Sequence, residues 1–293
     1  MGKFYDCVPE ELVPWIKRQQ MFFVATAPLS ASGHVNLSPK GLRRTLHILD
    51  KTRVWYEDLS GSGIETISHL RENGRITIMF CAFEGAARIV RLFGTGKVYE
   101  FGTPEYFELV PPEQRLSGSR AAIVVDVHKA NSSCGYAVPL YTFKQDRSTL
   151  LKWSDKMEKL DEKFAKDMDS MDGPIEELPV RLGDETSRRV YPERSMKWWW
   201  AKTNLHSIDG LPGLHSAHIT DAVPRATVHL EGAGEPPSDG TVVVLGNRIP
   251  KELMRALLVP ASREEVVRLV LAVTLGVTVA AVYVQVVGLR GRC

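Results

Sequence analysis

Short β-rich runs separated by turn residues dominate residues 22–143, and they constrain the fold more than any other feature of this 293-residue chain. Each run is rich in β-branched or aromatic residues and is bounded by Gly, Pro, Ser or Asn, which is typical of strands. The runs are Phe22–Ala27, His34–Ser38, Arg53–Glu57, Arg75–Phe83, Arg88–Phe101, Ala121–His128 and Val138–Phe143. Gly94 and Gly96 predict a bulge or tight bend inside the fifth run. Many short strands and few helices favour a mainly β protein built as a small barrel, not a doubly wound sheet.

Composition and motif searches exclude several classes of function. The formal net charge of +2 is too small to indicate a nucleic-acid partner. The eight histidines form no HxH or HExxH cluster, so we expect no metal site. No Gly-x-Ser-x-Gly elbow and no GxGxxG after a strand is present, which disfavours hydrolase and dinucleotide-binding folds. No CxxC pair occurs among the four cysteines, which disfavours a disulfide framework; they are Cys7, Cys81, Cys134 and Cys293.

A strand, a Gly/Ser turn and a short helix follow one another between Tyr56 and Gly74. Free N–H groups at a helix N-terminus attract an anion, and small residues in the preceding turn allow it to approach closely. The residues of this candidate phosphate site are Ser60, Gly61, Ser62, Gly63 and Thr66. The alternative is a plain capped helix, because Ser62 and Glu65 have the spacing of a capping box. A carboxylate at position 65 would compete with a phosphate.

Two further basic residues are candidates for ligand binding. Lys40 follows a strand, among small residues, and can bind a phosphate as a point charge. An ordinary solvated lysine in a turn is the alternative. Arg88 and Arg91 lie on opposite faces of one predicted strand, so one of them can face a ligand while the other is exposed. We take Arg88 as the candidate.

The chain from Thr149 onward has a helical pattern. Apolar residues recur there at spacings of three and four, which predicts one apolar stripe on a charged helix that packs on the barrel or on a partner chain. The stripe comprises Leu150, Trp153, Met157, Leu160, Phe164, Met168 and Met171. The run Trp198–Trp200 is predicted to pack onto a surface.

The last part of the chain carries a long apolar segment. Leu269–Leu289 is long enough to cross a bilayer, with a buried helix or a strand pair as the alternative. We expect residues 266–289 to form a transmembrane tail anchor that holds the protein on an intracellular membrane, with the barrel facing the cytosol. The expected organisation is a barrel at 1–147, a helical and loop extension at 148–214, and a poorly structured linker at 215–262.

Several ordered blocks carry a family resemblance. They read WIKRQQMFFVATAPL (Trp15–Leu29), GHVNLSPKG (Gly33–Gly41), DLSGSGIETISHLRENGRITIMFCAFEG (Asp58–Gly85), SSCGYAVPLY (Ser132–Tyr141) and SIDGLPGL (Ser207–Leu214). Through these blocks the chain from Phe4 to about Leu214 resembles the pyridoxamine 5′-phosphate oxidase-like family of split barrels, which bind flavin mononucleotide (FMN).

The resemblance implies a six-stranded split β-barrel that forms a homodimer, with FMN in a groove at the interface. It implies that Asn36 and Ser38 contact the flavin ring. The phosphate would be held by Lys40 together with Ser62, Gly63 and Thr66. The region near Cys134–Tyr141 would meet the other subunit.

The chain departs from the family pattern at two places. Pyridoxamine-phosphate oxidases carry a Ser-Arg-Lys run at the start of the helix, where this chain has Ile64, Glu65 and Thr66. They also carry a C-terminal Arg-Leu-His-x-Arg signature, which the segment Asn204–Ile208 does not match. These departures argue against the vitamin-B6 reaction itself.

Two functions remain: a flavin-dependent oxidoreductase that transfers hydride to or from a small molecule, and a non-catalytic module. The module would bind flavin, haem or a B6 vitamer, or would dimerise at a membrane.

Overall fold

A computed structural model describes residues 2–42, 44–170 and 191–225. Five helices and eight strands are present in these ranges, with short 3-10 turns at Glu10–Leu12 and Pro112–Gln114. The strands are β1 (Lys3–Tyr5), β2 (Phe22–Thr26), β3 (Asn36–Lys40), β4 (Leu46–Ile48), β5 (Arg53–Leu59), β6 (Arg75–Cys81), β7 (Ile89–Glu100) and β8 (Ser119–Ser133). The helices are α1 (Val13–Lys17), α2 (Glu65–Asn73), α3 (Pro104–Leu109), α4 (Thr149–Asp169) and α5 (Met196–Thr203).

The strands form one antiparallel sheet that must curl. Its order is β3-β2-β6-β7-β8-β5-β4, so β3 and β4 stand at opposite edges, and β1 pairs with β8 beside this path. In a flat sheet the two edges would lie about 29 Å apart, at about 4.8 Å per strand. The link from Lys40 to Leu46 can span at most about 21 Å. The short link therefore forces the sheet to curl, and its two edges approach each other as in a split barrel.

The core fills the inside of this curl. The inward residues of the long strands are almost completely buried, and α2 packs against β2, β6 and β7. At Gly94 the pairing of β7 with β8 shifts by one residue. A Cβ at Gly94 would stand 2.6 Å from the carbonyl oxygen of Asp126, so a side chain there would force the strands apart. The predicted irregularity in this run is confirmed at Gly94.

The strand predictions differ from the structure at two points. The prediction of six strands is wrong, because the described sheet has eight. The two additional strands, β1 and β4, have three residues each and are too short to show a repeating pattern in the sequence. The predicted strand at Val138–Phe143 is also wrong, since these residues, all of them described, form no strand. Pro139 lacks the N–H that a ladder requires, and Tyr141 makes a single backbone bond to the carbonyl of Phe83, at 2.8 Å.

Helix α2 ends as predicted but begins differently. It ends at Gly74, which adopts the left-handed conformation with φ of 71°. The predicted capping box of Ser62 and Glu65 is wrong. The residue before the helix is Ile64, and among the described residues no side chain caps its first turn. Ser62 is exposed instead.

Helix α4 buries a different face from the one predicted. Leu150 and Leu160 of the predicted stripe are 37% and 38% exposed. The buried residues are Leu151, Ser154, Met157, Glu158 and Asp161. Met171 of the predicted stripe lies outside the described residues. The stripe prediction is therefore wrong for Leu150 and Leu160, although Met157 is buried and Trp153 packs against the core. Buried polar groups of the barrel turn part of the polar face of the helix inward.

A buried ion pair shows why the polar face faces inward. Glu158 Oε1 accepts hydrogen bonds from Arg115 Nη2 and from the backbone N–H of Gly118, both at 2.7 Å. Arg115 and Glu158 are 1% and 3% exposed. A buried guanidinium needs a carboxylate partner, so the position of Arg115 determines which face of α4 packs on the barrel.

Helix α5 and the residues after it are also tied to the barrel. Trp200 is fully buried in the core, whereas Trp198 and Trp199 are half-buried, so this run packs against the barrel mainly through Trp200. Past Leu214, the backbone N–H groups of residues 215–217 all donate to the carboxylate of Glu100. Burial alone would raise the pKa of Glu100, but these N–H groups and Arg71 lower it.

The predicted tail anchor at 266–289 lies outside the described residues, as does most of the predicted linker. Across the ranges that the structure describes, no helix combines the length and the apolar character needed to span a membrane.

We expect Glu158→Gln to lower the free energy of unfolding by about 3–5 kcal/mol, because it leaves the buried Arg115 without its counter-charge. Glu162→Gln is the matched control on the same helix. Glu162 pairs with Lys166, which is 66% exposed, so its loss should change stability by less than about 0.5 kcal/mol. Urea unfolding of the three proteins at pH 7 measures both differences. Equal small losses would contradict the assigned role of the buried pair.

Candidate functional site

The edge strand β3 presents a polar face and an apolar face. Asn36, Ser38 and Lys40 alternate along it and are half-buried, whereas Leu37 and Pro39 are exposed. Directly opposite residues of paired strands point to the same side of a sheet, and Ser38 stands opposite the buried Val24 of β2. The polar face of β3 therefore lies on the inner side of the sheet.

A hydrogen-bond network joins this polar face to helix α2. Asn36 Nδ2 donates to Thr66 Oγ1 at 3.0 Å and to Thr26 Oγ1 at 3.3 Å. Ser38 Oγ donates to Asn36 Oδ1 at 2.9 Å. Thr26 Oγ1 lies 3.0 Å from Nδ1 of the buried His69, whose pKa burial lowers, so the imidazole is neutral at pH 7. The structure thus brings together three predicted site residues, Asn36, Ser38 and Thr66.

Lys40 enters a second network, built on a buried carboxylate. Its Nζ lies 2.6 Å from Oδ1 of Asp58, whose side chain is fully buried. The other oxygen, Asp58 Oδ2, accepts from Arg120 Nε at 2.9 Å, and Arg120 Nη1 donates to Asn204 Oδ1 at 2.8 Å. Burial alone would raise the pKa of Asp58, but Lys40 and Arg120 lower it to about 2. Two cations therefore share one carboxylate, which leaves a surplus positive charge beside the end of β3.

The turn between β5 and α2 is anchored at its start and exposed at its tip. Ser60 is fully buried, and its Oγ donates to the carbonyl of Gly118 and accepts from Trp200 Nε1, both at 2.6 Å. Ser62 and Gly63 are exposed. A Cβ at Gly61 would meet no atom within 4 Å. The tip of the turn is therefore open to a ligand.

Glu65 lies beside this open tip. A Cβ at Gly63 would stand 2.5 Å from Glu65 Oε2, so the carboxylate folds back over the turn. Glu65 Oε1 accepts from the backbone N–H of Ile208 at 3.4 Å. This negative charge opposes a phosphate at the same place, as the sequence alone suggested.

Arg88 is not brought to this site. Its guanidinium lies 5.8 Å from the ring centroid of Trp15, and it lines a separate cavity of about 660 Å³ beside α1, together with Arg18 and Glu84. Its predicted role in cofactor binding therefore has no support from the network around β3.

Comparison with known proteins decides the family. The family model described as pyridoxamine 5′-phosphate oxidase matches residues 8–134. A pyridoxamine 5′-phosphate oxidase family protein of Aspergillus flavus, ustO, is 40% identical over 224 residues, which cover 74% of this chain and 80% of the relative. The chain belongs to the pyridoxamine 5′-phosphate oxidase family. The predicted family is confirmed.

Solved structures with a similar fold are more distant. HupZ of Group A Streptococcus is 24% identical, with a TM-score of 0.34 over 41% of this chain and 89% of its own. An FMN-binding protein of Syntrophomonas wolfei is 13% identical, with a TM-score of 0.30 over 41% and 80%. A FAD-binding protein of Mesorhizobium loti is 10% identical, with a TM-score of 0.31 over 45% and 99%. These scores are low, and the family assignment rests on the sequence matches.

Sequence reasoning missed three members of the site of this family protein: Asp58, Arg120 and Asn204. Asp58 gave a usable signal, since it is a carboxylate near the end of a mostly buried strand, two residues before the Gly/Ser turn. Arg120 and Asn204 gave none. They are 62 and 146 residues away from Asp58 along the chain, and only the fold brings them together.

We expect Asp58→Asn to remove one acid-sensitive contribution to stability. The pKa of Asp58 falls from 3.8 to about 2 on folding, so its contribution is complete above about pH 4 and is lost as the pH falls towards 2. That difference corresponds to about 2 kcal/mol. Urea unfolding between pH 2 and pH 7 should show a shallower acid decline in the variant than in the wild type. Asp126→Asn, which removes a half-exposed partner of Arg53, is the control. Parallel curves for the wild type and Asp58→Asn would contradict the assigned ionisation.

Proposed function

We propose that this protein binds FMN at the inner face of β3 and acts as a flavin-dependent oxidoreductase on a small molecule. The observation that carries the proposal is the convergence of Asn36, Ser38 and Lys40 with Thr66 and the β5–α2 turn. Membership of the pyridoxamine 5′-phosphate oxidase family supports it.

The residues present fit a flavin phosphate in two respects and oppose it in one. The exposed tip at Gly61 and Ser62 has room for a phosphate and offers backbone N–H groups. The two positive charges of Lys40 and Arg120 exceed the single negative charge of Asp58, so the end of β3 attracts an anion. Glu65 weakens that attraction, because its carboxylate lies over the turn beside Gly63.

Each proposed contact follows from the chemistry of the side chain. Asn36 and Ser38 offer an amide and a hydroxyl, which can donate to or accept from the polar edge of a flavin ring. Lys40, Ser62, Gly63 and Thr66 would hold the phosphate through a point charge, two hydroxyls and backbone N–H groups. Bound FMN would supply the hydride transfer, while the chain orients the ring and excludes water from it.

A homodimer is part of the proposal. Strand β3 is an edge strand, its outward residue Leu37 is 61% exposed, and Val35, which directly precedes it, is 75% exposed. Tyr136 and Leu140, in the region predicted to meet the other subunit, are 86% and 72% exposed. Large exposed apolar side chains next to an unpaired edge are typical of a protein interface.

The position of Glu65 favours a second function. A carboxylate beside Gly63 reduces phosphate affinity, and the substrate signature of pyridoxamine-phosphate oxidases is absent from the sequence at 204–208. A non-catalytic module that binds flavin, haem or a B6 vitamer, or a membrane-tethered dimerisation module, would tolerate both features.

We expect the full-length chain to retain FMN through gel filtration and to show flavin absorbance bands. Lys40→Ala should weaken FMN binding by about tenfold or more, because a charge-assisted contact to phosphate contributes about 1.5–3 kcal/mol. Lys51→Ala is the control, since Lys51 is 60% exposed and pairs with Glu10 away from the site. Fluorescence quenching of FMN measures the three affinities. A colourless chain that does not quench FMN would contradict flavin binding.

The oxidoreductase and the non-catalytic module differ in one measurement. We expect NADH or NADPH, added without oxygen to the FMN-loaded chain, to bleach the flavin bands, and air to restore them. Free FMN under the same conditions is the control for direct reduction in solution. Bands that stay oxidised with both donors would favour the non-catalytic module.

A further inference from the structure

Asn204 connects the two halves of the proposed phosphate site. It follows helix α5, is fully buried, and lies 84 residues beyond Arg120. We infer that Asn204 is a positioning residue that holds Lys40 and the β5–α2 turn in place for a flavin phosphate. The inference rests on the proposed function and goes beyond it, because it assigns a role in the site to the segment after the barrel.

One branch of the network leads from Asn204 to Lys40. Asn204 Oδ1 accepts from Arg120 Nη1 at 2.8 Å, and Arg120 Nε donates to Asp58 at 2.9 Å. Asp58 in turn holds Lys40 Nζ at 2.6 Å. Asn204 therefore fixes the guanidinium that shares a carboxylate with the proposed phosphate ligand.

The other branch leads to the turn. Asn204 Nδ2 donates to the carbonyl of Gly61 at 3.1 Å. Trp199 Nε1 contacts the same carbonyl at 3.4 Å, and Trp200 Nε1 donates to Ser60 Oγ at 2.6 Å. The turn has no side-chain cap among the described residues, so these contacts from the later segment hold its start while Ser62 and Gly63 stay open.

The chemistry of position 204 requires an amide. The oxygen must accept from a guanidinium and the nitrogen must donate to a carbonyl, and among neutral side chains of this size an amide does both. A guanidinium cannot accept, so the orientation of the amide is determined by its partners.

The backbone around Asn204 is held as tightly as its side chain. Its N–H donates to the carbonyl of Trp200, and its carbonyl accepts from Leu214, both at 2.9 Å. A Cβ at Gly213 would stand 2.4 Å from the carbonyl oxygen of Asn204, so this close return of the chain requires glycine. The amide is therefore presented to the site by a rigid loop.

The experiment compares FMN with riboflavin, which has the same ring and no phosphate. In the full-length chain, Asn204→Ala should weaken FMN binding by about tenfold and riboflavin binding by less than about twofold. Thr203→Ala is the matched control, since the hydroxyl of Thr203 bonds only to Trp199 within the same helix in the described chain. Asn204→Asp preserves the size of the side chain and the acceptor for Arg120 but loses the donor to Gly61, so it should retain riboflavin and lose FMN.

A double-mutant cycle separates positioning from general stability. If Asn204 acts through Lys40, the losses of FMN affinity in Asn204→Ala and Lys40→Ala should be clearly less than additive in the double variant. Additive losses, or equal losses of FMN and riboflavin in both Asn204 variants, would overturn the inference while the proposed function stands. A wild-type chain that binds neither flavin would overturn the proposed function, and the role of Asn204 with it.

Discussion

The carboxylate of Asp58 links the two edges of the curled sheet. It is fully buried, so it needs compensating charge, and it receives this from Lys40 on one edge strand and from Arg120 in the middle of the sheet. Lys40 lies on β3, whereas Asp58 lies next to the opposite edge of the sheet. The ion pair therefore joins the two edges that the short link from Lys40 to Leu46 brings together, and the polar face of β3 lies half-buried beside it.

The segment after the barrel completes this arrangement. Buried polar groups attach it at both ends, through the Arg115–Glu158 pair on α4 and through the backbone N–H groups that Glu100 accepts after Leu214. Between these attachments, Trp200 and Asn204 reach the turn before α2. Attachment by hydrogen-bonded groups is more specific in geometry than apolar contact, because a donor and an acceptor must meet at a set distance and angle. This specificity suits the positioning role that we propose for Asn204.

Local features of the chain were predictable and tertiary partners were not. The end of α2 at Gly74 follows from the left-handed conformation that glycine adopts readily, and the irregularity at Gly94 follows from a close approach of β8 that leaves no room for a side chain. The prediction of a capping box was wrong because the spacing of Ser62 and Glu65 is compatible with more than one hydrogen-bond pattern. The predicted apolar stripe on α4 was wrong at Leu150 and Leu160 for a different reason: the buried charge of Arg115 draws Glu158 inward and turns the helix away from those two residues.

By itself the sequence determined the class of fold, the family, the strand–turn–helix unit and the alternation that puts Asn36, Ser38 and Lys40 on one face. These follow from local conformational preference and from the two-residue period of a strand. The folded structure was needed to show that Lys40 faces Asp58, that Arg88 lies elsewhere, and that Asn204 contacts both Arg120 and Gly61. The physical reason is that a buried charge selects its partner by proximity in the folded state, and residues far apart in the chain carry no local signal of that proximity.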